Sequence, residues 1–160
     1  MFDVYRMLPP IGMRKRVIRK VCPFGGDYLV DVDDGVMDEV RIFNEELNIP
    51  TKASCEGHLS LKEASAYILG KISVNQRKLL HSHMEDIGKN WYTEDNVIRY
   101  VFYDRDYRLT FSLFDQCLKD YGNRFKINVR SNKIVKLQDR WDNIRKTGFK
   151  NAINILKQIF

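Results

Sequence analysis

Cysteine is scarce in this chain. The three present, Cys22, Cys55 and Cys117, are an odd number at no framework spacing. That excludes a disulfide-stapled scaffold and reads as free thiols in a reducing, cytoplasmic setting. Long apolar runs are also missing. None approaches the ~20 residues of a membrane span, so no membrane partner is expected. The first residues, Met1 to Arg6, lack the basic-then-apolar order of a signal peptide. Gly25-Gly26 has no following Lys-Ser/Thr, which excludes a phosphate loop of the P-loop kind. There is no internal repeat and no low-complexity segment.

What remains is the composition of an ordinary globule. The 160 residues are 44% hydrophobic and 30% charged, enough to bury a core without staples or a structural metal. The net charge of +6 is unevenly spread: +5 over residues 1–20, −6 over 21–110 and +7 over 111–160. Basic ends around an acidic middle could grip a polyanion. No Arg/Lys run is interleaved with aromatics in an RNA-binding pattern, which favours a plain solvated surface.

Breakers at Pro9-Pro10 and Pro23–Gly26 mark residues 1–27 as an N-terminal arm or strand. Tyr28–Val32 is β-prone. Val36, Met37, Val40, Phe43 and Leu47 predict a helix over 35–47, capped by Asp33 or Asp34 and stopped by Asn48 and Pro50. Strands are predicted at 51–55 and 66–72. A helix is predicted at 75–87, capped by Asn75, with Val74 stapled onto Leu79 and a buried face of Leu79, Leu80, His83, Met84 and Ile87. Residues 97–103 and 108–114 read as a hairpin, and 125–129 as a further strand. From Asn132 a helical stripe runs through Trp141, Ile144, Gly148, Ala152, Ile155 and Ile159, with a break expected at Thr147-Gly148. The order is the split βαβ pattern of ferredoxin-like domains. The reading is a single α+β domain: an arm over 1–27, a ferredoxin-like core with an antiparallel or mixed sheet over 28–130, and a C-terminal helical extension over 131–160.

Chemistry concentrates at Ser54-Cys55-Glu56-Gly57-His58, just past a predicted strand end. Cys55 is a candidate nucleophile, with Glu56 and His58 as orienter and base, and Ser54 and Gly57 as ligand-binding backbone. The competing account makes Cys55 a small strand-end residue and His58 a loop cap. Cys55 and His58 have a C-x-x-H spacing that zinc can use. A second ligand pair is missing: His81 and His83 sit about 200° apart on a helix and cannot both face one ion, which leaves Cys55, His58, one of these histidines and a carboxylate as the set still open. No metal or cofactor is therefore expected. Asp31, Asp33 and Asp34 could hold Mg²⁺, but helix capping accounts for them more simply. Tyr67, Tyr100 and Phe102 stand where a sheet could stack bases, although strand aromatics are more often core.

The run Leu47–His58, with Ala66-Tyr67-Ile68 after it, resembles a group of small uncharacterised bacterial and phage proteins. These share a helix, a Thr, then Ser-Cys-x-Gly-His and a strand. The resemblance covers about residues 33–72 and implies a common fold more firmly than a common reaction. A more distant likeness is to the Ser-Cys-Ser-Gly-Arg loop of wybutosine-synthesis tRNA methyltransferases. Ser54, Cys55 and Gly57 match it; Glu56 and His58 depart, and His58 removes a permanent cation. The function expected is binding, with or without modification, of a small anionic ligand or nucleotide at Ser54–His58. The alternative is a nucleic-acid-associated or regulatory protein that uses its basic termini. A homo-oligomer fits either reading, and the reaction, if there is one, stays open.

Overall fold

The computed structural model describes residues 15–21, 27–57, 64–93, 98–115 and 132–160. The predicted strand at 125–129, Cys22, Cys117 and His58 lie outside them. The architecture is α+β. A two-stranded sheet pairs β1 (Lys15–Val21) with β2 (Asp27–Asp33). A five-stranded sheet contains β3 (Thr51–Cys55), β4 (Ala64–Lys71), β5 (Trp91–Tyr92), β6 (Ile98–Arg105) and β7 (Arg108–Asp115) in the order β3-β4-β7-β6-β5. Every pairing in it is antiparallel. A split βαβ fold would set the strand before the first helix parallel to β4. Here β7 occupies that place, so these pairings do not show the ferredoxin-like order.

Alternation decides the two faces of the large sheet. Ala66, Ile68, Phe102, Leu109, Phe111 and Leu113 are buried on one face, as period-two patterning requires. Three helices complete the fold: α1 (Met37–Glu45), α2 (Val74–His83) and α3 (Asn132–Ile159). Helix α3 lies against the apolar face, with Phe149 edge-on to Phe111 at 5.3 Å and Phe111 against Phe102 at 4.9 Å. Val40 and Phe43 of α1 and Leu80 of α2 enter the same core. Arg140 of α3 ties to the buried Asp115 of β7 at 3.2 Å. Among the described residues no helix is long and apolar enough to cross a membrane.

Several local expectations change. Asp33 does not cap α1. Val36 is its N-cap, and a valine side chain has no acceptor to make a capping bond; the Asp33 carboxylate accepts the Glu56 N–H instead. Helix α2 is capped two residues earlier than Asn75, by Ser73 in a reciprocal capping box with Gln76. Val74, at 54% exposure, therefore staples nothing, and Leu79 and His83 face solvent. Helix α3 runs through Gly148 unbroken. Gly148 is a contact point: a Cβ there would stand 2.9 Å from both Leu113 Cδ2 and Tyr100 Cε1.

Candidate functional site

Strand β3 delivers Cys55 to its end and Glu56 into the interior, where Glu56 is 3% exposed. All three polar parts of Glu56 are engaged. Its carboxylate Oε2 accepts the Gly35 N–H at 2.9 Å. Its own N–H donates to Asp33 Oδ2 at 3.0 Å. Its carbonyl accepts the Trp141 indole N–H at 2.9 Å and Arg145 Nη1 at 3.4 Å. Arg145 is itself buried; it donates to the Gly35 carbonyl at 3.1 Å and pairs with Asp142 at 3.0 Å. Gly35 fits because it has no Cβ. One would collide with the Glu56 carboxylate and lie 2.8 Å from Arg145 Nη2. Gly57 follows at φ 80°, and a Cβ there would stand 2.6 Å from Trp141 Cζ2. Buried charges of this kind are tolerated only when paired and fully bonded.

The chemistry at Cys55 follows from these neighbours. Burial pushes the half-buried thiol up, and the Asp33 and Glu56 carboxylates push it further. The Gly57 N–H, 3.4 Å from Sγ, offsets only part of that. The charges acting on the sulfur thus favour the thiol over the nucleophilic thiolate. Ser54 pairs with Ile68 and so faces the opposite side of β3 from Cys55; its Oγ is buried with no hydrogen-bond partner among the described residues. The structure therefore brings Cys55, Glu56 and Gly57 together, turns Ser54 away, and makes Glu56 a structural joint. Among the described residues no group of three or more His, Cys, Asp and Glu is placed to hold a metal.

A second cluster has the opposite character. Val74, Arg77, Lys78 and His81 recur at helical spacing on α2, and with Tyr107 they line an open groove of about 290 Å³. Beneath it lies Asp104 of β6, its side chain wholly buried. Asp104 Oδ2 receives Arg77 Nε at 2.8 Å and pairs with His81 Nε2, while Oδ1 has no partner among the described residues. The carboxylate raises the Arg77 guanidinium above its ordinary value. Arg77 also lies over the Tyr107 ring, 5.0 Å from its centroid. That ring is placed by a two-residue turn between Arg105 and Arg108, whose central residues Asp106 (φ 52°) and Tyr107 (φ 60°) are both left-handed. The turn type demands this, and for a tyrosine it costs about 1–2 kcal/mol. Bulky residues held in that region cluster at ligand clamps.

In the sequence His81 stands out only as a histidine that cannot share an ion with His83, and Asp104 does not stand out at all. The i,i+4 pair Arg77–His81 was legible as a face. Its acid lies 27 and 23 positions downstream, and only the sheet register brings it back. No protein family model, curated protein or solved structure matches this chain.

Proposed function

We propose that the protein binds a small phosphate-bearing anion in the groove between α2 and the β6–β7 turn. The supporting observation is the buried Asp104, which fixes Arg77 and His81 side by side in a groove that Lys78 also lines. One carboxylate beneath three basic side chains leaves the groove positive. Lys78 supplies a point charge, Arg77 the N–H groups that Asp104 does not take, and His81 its Nδ1 edge. Tyr107 offers an aromatic wall to a ligand with a ring, as in a nucleotide. The loop Ser54–His58 is less suited to an anion, since Asp33 and Glu56 crowd Cys55 with negative charge.

Isothermal titration with inorganic phosphate, pyrophosphate and ADP tests the reading. Charge-assisted hydrogen bonds contribute about 1.5–3 kcal/mol. Lys78→Ala and His81→Ala should each weaken binding by roughly tenfold or more, while Cys55→Ser leaves it unchanged. No saturable binding of any of the three, or binding indifferent to both groove variants, would overturn it.

A further inference from the structure

The face of the large sheet turned away from α3 carries a second pattern. Cross-strand partners share a face. Tyr67 of β4, Ser112 of β7 and Val101 of β6 form one row; Leu69, Thr110 and Tyr103 form the next; Lys71, Arg108 and Arg105 form the third. Tyr67 and Tyr103 are 38% and 46% exposed. They flank the small side chains of β7, two strands apart, which is about 10 Å across the sheet. A broad recess of about 680 Å³ lies against this patch, lined by residues that include Leu69, Tyr103, Thr110, Arg105 and Arg108. At the other end of the patch, Arg99 lies over the Phe114 ring, 4.6 Å from its centroid. Two acids, Asp104 and Asp106, also line the recess. Asp104 is held by Arg77 and His81, which leaves Asp106 facing Arg105, Arg108 and the neighbouring Lys71. Asp106 meets Arg105 at 4.0 Å with both side chains about nine-tenths exposed, and such pairs hold their partners weakly.

We infer that this sheet face, where Tyr67 and Tyr103 stand exposed around the buried Val101, binds single-stranded nucleic acid, with bases stacked on Tyr67 and Tyr103 and phosphates beside Arg105 and Arg108. Charge and shape agree on that occupant. Exposed rings spaced across a sheet accept unstacked bases, and flanking guanidinium groups neutralise the backbone between them. A duplex has its bases stacked inside and cannot use the rings. The surface borders the α2 groove, with Asp104 common to both, but its rings and guanidinium groups are not those lining the groove, so the inference does not depend on the reading given to that groove.

Fluorescence anisotropy with labelled oligo-U and oligo-dT of about 12 nucleotides, against a duplex of the same length, tests this. Either single strand should bind more tightly than the duplex. Tyr67→Ala/Tyr103→Ala should weaken the single strand by roughly tenfold or more, and Tyr103→Phe should keep its affinity, because a stacking platform needs only the ring. Arg105→Ala/Arg108→Ala should flatten the plot of log affinity against log salt by about 1.4. Lys78→Ala should leave strand affinity unchanged, so failure here and failure of the groove are told apart. These side chains are exposed, and an unchanged thermal midpoint confirms that the variants fold. A duplex bound as tightly as the strands, or a double tyrosine variant that binds like the parent, would overturn the inference.

Discussion

The indole N–H of Trp141 reaches across 85 positions of sequence to the carbonyl of Glu56, at 2.9 Å in the buried interior. Through that bond and the Arg145 contacts, α3 holds the end of β3 and the turn after β2 in one joint. Glu56 acts as the keystone. Removing a single partner from a buried, bonded charge cluster typically costs about 3–5 kcal/mol. Glu56→Ala keeps the backbone bonds to Trp141, Arg145 and Asp33 and removes only the carboxylate that accepts the buried Gly35 N–H, so it should lower unfolding free energy by the low end of that range. Trp141→Phe keeps most of the packing and loses one buried hydrogen bond, so about 1–3 kcal/mol is expected. Urea unfolding measures both. A Glu56→Ala loss below that of Trp141→Phe would show that the joint is not held by the carboxylate.

Cys55 should be a slow thiol at neutral pH. Its folded-state pKa is raised above the ordinary 9.0 by burial and then by Asp33 and Glu56. The sign for stability follows. A raised pKa means that the folded state holds the proton more tightly than the unfolded chain. The contribution is fully present below about pH 9 and is lost as pH rises through the folded value. Stability should therefore decline in alkali, and Cys55→Ser should remove part of that decline. Thermal midpoints from pH 7 upward check it, and iodoacetamide labelling at neutral pH checks the reactivity. Labelling of Cys55 faster than a free model thiol would reverse the conclusion.

The α+β class and the β6–β7 hairpin were legible because they rest on local periodicity and on a short polar turn. The Cys-Glu-Gly loop was legible as a special place, but its role was not. Glu56 looked like a catalytic carboxylate because nothing nearby in sequence claims it; its partners are Gly35 and Trp141, 21 positions before it and 85 after. Asp33 looked like a helix cap for the same reason, and a strand amide from Glu56 took it instead. The Ser73–Gln76 capping box has its usual spacing in the sequence, two residues before the cap expected at Asn75. The Arg77–His81–Asp104 cluster could not be read, because it needs the register of β6 beneath α2.

That capping box carries its own test. Ser73 Oγ accepts the Gln76 N–H at 3.1 Å, and Gln76 Oε1 accepts the Ser73 N–H at 2.9 Å. Gln76 Nε2 also donates to the Leu47 carbonyl at 2.8 Å, so the start of α2 is tied to the end of α1. Ser73→Ala should cost about 1 kcal/mol, as N-cap losses usually do. Gln76→Ala should cost more, since it removes a bond to another element as well. Asn75→Ala should be nearly neutral. A larger loss from Asn75→Ala than from Ser73→Ala, by chemical denaturation, would relocate the cap.

Gly148 sets two effects of opposite sign against each other. In an exposed helix, replacing glycine with alanine stabilises by about 1 kcal/mol. Here the new methyl would meet Leu113 Cδ2 and Tyr100 Cε1, each at 2.9 Å, closer than carbon atoms pack without displacement. Leu113 is fully buried and Tyr100 is stacked on Phe111, centroids 6.3 Å apart, so neither can swing clear without disturbing the sheet. Overpacking of this kind costs about 1–3 kcal/mol, which outweighs the propensity gain. Gly148→Ala should therefore leave stability flat or lower it by up to about 2 kcal/mol, and Gly148→Leu should lower it much further. Thr147→Ala, on the exposed side of the same turn, gives the propensity effect alone and should stabilise by a few tenths of a kcal/mol. Urea midpoints of the three variants decide the matter. A Gly148→Ala midpoint raised by the full amount seen in free helices would mean that α3 stands off from the sheet at this point, and that Gly148 is the helix break its sequence suggests.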